Sequence, residues 1–256
     1  MACAGALDRA AAIAVPLLFI GIAWPALREN SATWDETAHV PAGFTYLTRA
    51  DFRLNPEHPP LVKALFALPL LALSPSISPE TERAFDAAPG EWNHLQWIFG
   101  YRFLNRDNRP QPLLFRARLV VLLLGTCVVV LVYVWARDLF GAGGGAFAAS
   151  LLALDPNFIA HATLATTDVG AVLFFTSCVY CFRLTFRRAN VAHVLTTGLA
   201  AGAACVAKFS TILLVPTFLI LGVLATLRPE PWPIVGGKTV RTSRGRAAMS
   251  VTLLVC

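Results

Sequence analysis

Long apolar runs, broken by short polar turns, dominate the chain. A membrane-spanning helix needs about 20 mostly apolar residues, and the runs predict about six such helices. The first covers Leu7 to Leu27, with Asp8 and Arg9 at its head. The second covers Leu119 to Ala136. The third covers Leu139 to Leu154, its start loosened by the glycines between Gly141 and Gly145. Val169 to Phe182, Val194 to Ala207 and Phe209 to Leu227 supply the next three. A seventh begins near Ala247, and the chain ends inside it at Leu253-Leu254-Val255-Cys256. The sequence is therefore expected to be the N-terminal part of a longer protein. The first run also has the length of a cleavable signal segment, with a small-residue site near Ser31-Ala32. Asp8 at its head argues against that.

The polar residues set the orientation. With the N-terminus inside, the inner segments hold Arg9, Arg137, Arg183, Arg187, Arg188, Arg228, Lys238, Arg241, Arg244 and Arg246. The short outer loops hold only Lys208. Basic residues favour the cytoplasmic side, so this asymmetry predicts a cytoplasmic N-terminus. The segment from about residue 28 to 112 is then one large extracytoplasmic loop. Its apolar stretch, Leu61 to Leu73, contains Lys63 and Pro69. If it crossed the membrane, every later loop would flip and the charge bias would invert. It is expected to lie on the outer surface as an interfacial helix started by Pro59-Pro60.

Composition agrees with this reading. The chain is 256 residues long, 56% hydrophobic and only 14% charged, with a mean hydropathy of +0.62. Soluble domains carry about 25% charged residues, so an ordinary cytosolic enzyme and a disordered chain are both excluded. Cys178 and Cys181 form a CxxC in mid-span with no second pair, and read as small packing residues. The expected fold class is all-α, a polytopic transmembrane bundle.

Several ionisable residues then fall at the outer level: Asp35, Glu36, Asp155, Asp168 and Lys208. Charges in or beside spans are costly and commonly mark a site. Each also has a structural reading. Asp35 and Glu36 can be solvated loop acids, Asp155 can cap the turn at Pro156-Asn157, and Asp168 can cap the helix after Thr166-Thr167. Lys208 can snorkel to lipid phosphate. His161 reads as interfacial. A second dense cluster runs Asp51-Phe52-Arg53-Leu54-Asn55-Pro56-Glu57-His58-Pro59-Pro60-Leu61-Val62-Lys63. Its prolines restrict the backbone. Arg53, Glu57, His58 and Lys63 in such a rigid segment either grip an anionic headgroup or form surface ion pairs. Trp92, Trp97 and Tyr101 either anchor the loop at the interface or stack on a sugar.

Taken in order, Trp34-Asp35-Glu36, the segment from Asp51 to Leu61, Leu154-Asp155-Pro156-Asn157 with His161, Thr166-Thr167-Asp168 and Ala207-Lys208-Phe209 resemble one family. It is the bacterial phospholipid-carrier-dependent glycosyltransferases of the GT-C superfamily, with the protein O-mannosyltransferases and lipid A aminoarabinose transferases. The resemblance runs from about Ala10 to Leu227. It implies inverting transfer of a sugar from a polyprenyl-phosphate donor to an acceptor hydroxyl of a glycan, lipid or protein. The reaction would occur at the outer face of the inner (plasma) membrane. Asp35 matches the family's proposed base, with Glu36 in support and Asp168 as its second acid. Arg53, Glu57, His58, Lys63 and Lys208 would bind the donor. Some relatives hold a divalent metal near the donor phosphate; Glu57, His58 and the acids are candidate ligands, but their spacing does not define a metal site. A flippase for lipid-linked sugars, or a non-catalytic membrane subunit, would account for the same basic mouth without chemistry.

Overall fold

The computed structural model describes residues 2–86, 92–187, 190–227, 232–233 and 239–240. The expected seventh span, and Arg188, Arg228, Lys238, Arg241, Arg244 and Arg246 of the charge argument, lie outside these residues. The chain forms two compact units, Met1–Gly170 and Ala171–Cys256. Among the described residues it is helical apart from one short ladder, so the expected all-α class holds. Four helices are long and apolar enough to cross a membrane: Ala6–Glu29, Pro110–Ala153, Asp168–Arg187 and Phe209–Leu227.

The first unit opens with α1 (Ala2–Glu29). The segment after it builds α2 (Trp34–Arg49), α3 (Leu61–Ala67), a 3₁₀ segment (Leu68–Leu73), α4 (Pro79–Asp86) and α5 (Trp92–Arg102), which ends in a π turn. α6 (Pro110–Ala153) and α7 (Pro156–Ala162) follow, and α8 (Asp168–Arg187) starts here.

The 44 residues of α6 would span about 66 Å if straight, roughly twice the hydrocarbon thickness. The helix instead breaks at Gly141, whose φ of +79° and ψ of −176° are open to glycine but strained for other residues. A Cβ on Gly145 would stand 2.9 Å from the Tyr133 carbonyl oxygen and 2.8 Å from the Cβ of Arg137. Twelve residues of straight helix would separate Tyr133 from Gly145 by about 18 Å. The chain therefore doubles back, and the two expected spans become the arms of a helical hairpin, 110–140 and 142–153.

α1 lies antiparallel to the first arm and is tied to it at both ends. Near its start, Asp8 accepts from Arg137 Nε at 2.8 Å and from the Tyr133 hydroxyl. Past its end, Arg118 donates to the carbonyl oxygens of Asn30 and Ser31 at 2.8 and 2.7 Å. The helix between these ties is about 30 Å long, the thickness of a bilayer core. Between them Phe19 stacks on Phe158 of α7 at 5.4 Å and abuts Gly125.

Trp34–Arg49, which the hydrophobic pattern places in a loop, is helical and packs between α3 and α5. Thr33 and Glu36 make a capping box at its start. Two glycine contacts set its packing. A Cβ on Gly43 would fall 2.2 Å from the Lys63 carbonyl oxygen, and one on Gly100 would fall 1.9 Å from that of Thr37. α3 and α5 thus press directly against α2. The expected helix at Leu61–Leu73 is present and too short to span, and it tightens to 3₁₀ at Pro69, which has no N–H to donate. Val62, Phe66 and Leu70 are buried while Leu68 and Leu71 are exposed, which fits a helix lying on a surface.

The second unit holds the rest of α8, α9 (Val191–Cys205), a 3₁₀ turn (Phe209–Leu213) and α10 (Leu214–Leu227). β1 (Trp232–Pro233) and β2 (Thr239–Val240) pair antiparallel. Cys178, Ala204 and Leu214 form its core, with Phe182 stacked on Phe218 at 4.1 Å.

Candidate functional site

The two adjacent acids at the start of α2 have different environments. Glu36 is fully buried. Its carboxylate accepts from Arg118 Nε and Nη2, each at 2.7 Å, from the Ala165 N–H at 2.9 Å and from the Thr33 N–H at 2.9 Å. Burial pushes its pKa up, but Arg118 and the two backbone N–H groups outweigh this and hold it below the usual carboxylate range. No motif in the sequence singles out Arg118. It too is fully buried and ties α6 to α2 and to the end of α1.

Asp35, one residue earlier, is exposed, and its side chain takes no partner among the described residues. It sits in the first helical turn, where the macrodipole favours a negative charge. Trp34 beside it stacks on Trp97 of α5, with ring centroids 4.3 Å apart.

Asp168 opens α8, with its Oδ2 3.7 Å from His161 Nδ1. Its charge also reaches His39, four residues after Asp35 on α2. His39 is 4% exposed and its Nδ1 has no partner. Burial first, then the positive Lys63 and His58, lower its pKa to about 3 against the pull of Asp168. His39 packs edge-on against His58, at 5.4 Å between rings. The first unit therefore gathers Asp35, Glu36, His39, His58 and Asp168 around the start of α2 and the neighbouring Asp51–Lys63 segment.

That segment is held from within. Lys63 Nζ is fully buried and donates to Asn55 O at 2.6 Å, Asn55 Oδ1 at 2.8 Å, His58 O at 2.7 Å and the Tyr46 hydroxyl at 2.8 Å. Burial pushes this ammonium down to about 7, with Glu57 pulling the other way. Asn55 adopts a φ of +52°, a conformation asparagine tolerates. Glu57 accepts from the Asn55 and Gln96 side chains. Arg53 lies at the surface over the Phe85 ring, 4.4 Å to its centroid, and pairs with Asp51 at 2.7 Å.

Asp155 lies apart from this group. It caps α7, accepting the Phe158 N–H at 2.7 Å, and Phe158 stacks on Phe19 in the middle of α1. In the chain α7 and the turn after it stand between Asp155 and Asp168. Lys208 belongs to the second unit, at the start of the 3₁₀ turn. It lines an apolar cavity of about 510 Å³ with Phe209, Ile212 and Phe218. The described residues gather no set of three or more His, Cys, Asp or Glu side chains fit to hold a metal. Glu57 is bonded to amide groups instead, and no step below runs through a metal.

The long apolar helices define a multi-pass membrane protein, and the first unit adds a cluster of ionisable groups to them. The family model described as dolichyl-phosphate-mannose-protein mannosyltransferase matches residues 113–240, half of the chain, and the chain belongs to that family. The match includes Asp168 and Lys208 and begins after the segment that carries α2 to α5. Membership makes the chain a glycosyltransferase of the GT-C type, of the kind that uses lipid-phosphate-linked sugars. No curated protein and no solved structure shows significant similarity to it.

Proposed function

We infer that the protein transfers a sugar, with inversion, from a polyprenyl-phosphate donor to an acceptor hydroxyl at the outer face of the membrane. In this reading the N-terminus is cytoplasmic and Asp35 is the base. The acceptor oxygen attacks the anomeric carbon as its proton passes to the Asp35 carboxylate. The bond from the anomeric carbon to phosphate breaks on the opposite face, and polyprenyl phosphate leaves with the electron pair.

The observation that carries this assignment is the contrast between the paired acids. The Glu36 carboxylate is engaged by Arg118 and two backbone N–H groups, whereas the Asp35 carboxylate is exposed and unengaged among the described residues. Glu36 acts as a positioning residue that holds the first turn of α2. Asp168 is the second acid of the site.

The developing charge on phosphate calls for cations. Lys208, beside an apolar cavity suited to a prenyl chain, and the exposed Arg53 are the donor-binding candidates. Lys63, with its ammonium bonded to four internal acceptors, shapes the loop that carries Glu57 and His58 and does not meet phosphate itself.

The test is single-turnover transfer from a polyprenyl-phosphate sugar by purified Asp35→Asn protein. The substitution keeps the shape and removes the proton acceptor. Transfer should fall by about 10²-fold or more, with melting temperature and donor binding unchanged. A near-wild-type rate would remove Asp35 from the mechanism.

A further inference from the structure

A cleft of about 480 Å³ lies between the start of α2 and the face of α5, lined by Thr33, Trp34, Thr37, Trp97, Tyr101 and Arg102. Trp34 is 70% exposed although it stacks on Trp97. The walls are fixed, because Gly100 brings α5 against the Thr37 carbonyl with no room to slide. The threonine hydroxyls are already engaged, Thr33 with Glu36 and Thr37 with the Thr33 carbonyl. Among the described residues the Tyr101 hydroxyl takes no partner, and the Arg102 guanidinium forms no hydrogen bond although its charge reaches Asp107. A second, polar cleft of about 410 Å³ shares Tyr101 and Arg102 and adds Ser78, Thr81 and Arg106.

The geometry points to a carbohydrate-binding subsite that holds a glycan acceptor. Pockets that bind small ligands combine apolar and aromatic walls with a few placed polar groups. A pyranose ring matches this cleft: its C–H face packs on the indoles and its hydroxyl rim meets Tyr101 and Arg102. A lipid chain would leave those two donors facing hydrocarbon, which is costly. A free phosphate would leave the indoles unused. The adjoining polar cleft accepts further sugar units. Trp34 directly precedes Asp35, so a ring seated on Trp34 has its hydroxyls beside the proposed base. The inference rests on the reading of the chain as a glycosyltransferase with Asp35 as base, and it adds the class of acceptor.

The experiment titrates the purified full chain with mannotriose, maltotriose and cellotriose, followed by saturation-transfer NMR and tryptophan fluorescence. At least one trisaccharide should bind saturably. Trp97→Ala should weaken that binding by about tenfold or more, Trp97→Phe should retain it, and Arg102→Gln should weaken it without touching the core. Asp35→Asn should bind as the wild type does, which separates this subsite from the catalytic reading. Absence of saturable binding would overturn the proposal, as would binding unchanged in both Trp97→Ala and Arg102→Gln. Quenching of the indoles by vesicles of brominated phosphatidylcholine, without sugar binding, would overturn it too and make the cleft a membrane anchor.

Discussion

The Arg118 guanidinium and the Glu36 carboxylate meet at 2.7 Å with both side chains fully buried. Every nitrogen of Arg118 has an acceptor: both carboxylate oxygens and the carbonyls of Leu27, Asn30 and Ser31. A charged pair persists in a low-dielectric setting when its hydrogen bonds are satisfied in this way. The pair joins the end of α1, the start of α2 and the first arm of α6, and through Ala165 it reaches the turn before α8. The acid next to Asp35 thus holds together the elements on which Asp35 and Asp168 sit.

Removing one partner strands the other as a buried charge. Arg118→Ala and Glu36→Ala should each destabilise the protein by about 3–5 kcal/mol. The double variant should cost less than the sum, because the second change removes the stranded charge. Denaturant melts in detergent, run as a double-mutant cycle, measure this. Additive single effects would mean that the two groups act independently.

Two glycine sites predict opposite signs. Gly100→Ala places a Cβ 1.9 Å from the Thr37 carbonyl oxygen, a backbone atom that cannot swing away. α2 and α5 must separate, at a cost of about 1–3 kcal/mol. At Gly202, inside α9, a Cβ would meet nothing within 4 Å, so Gly202→Ala should stabilise by about 0.5–1 kcal/mol through helix propensity. Thermal melts of the two variants should move in opposite directions. A neutral Gly100→Ala would show that α2 and α5 are not in close contact.

Four long apolar helices are legible in the sequence because hydrophobic run length is a local property, whereas the expected span from Val194 to Ala207 falls in a helix of only 15 residues. The glycines at 141–145 signal a weakness, though not that the chain reverses there; the reversal is evident only from the approach of Gly145 to Tyr133. Thr33-Trp34-Asp35-Glu36 carries a helix-start signature that announces α2, but its paired acids suggest chemistry just as readily, and the two readings compete. Arg118 stands at the edge of an apolar run, and its partner lies 82 residues away in sequence, so no local pattern links them. Lys63 resembles a phosphate ligand because sequence shows a charge but not whether the fold has already bonded it.

His39 supplies the pH dependence. Its folded pKa of about 3 lies below the unfolded value of 6.5, chiefly through burial and then through the positive Lys63 and His58, with Asp168 opposing. The unfolded chain therefore binds a proton at higher pH than the folded one does. His39 leaves stability untouched above pH 6.5 and lowers it progressively as pH falls toward 3, by up to about 4 kcal/mol. Glu36, whose folded pKa is lowered, also loses stabilisation as acid protonates it, so the wild-type curve alone does not isolate the imidazole. His39→Leu does. Leucine fills similar space without a titrating group; it also loses the ring's bond to the Ala165 backbone, so the comparison is of the slopes with pH and not of the absolute stabilities. Melting curves of the two proteins across a range from about pH 7 to about pH 4, which brackets the folding-linked protonation, should diverge on acidification, with the variant losing less stability. Parallel curves would mean that the imidazole is protonated equally in both states, so that burial does not hold it neutral in the fold.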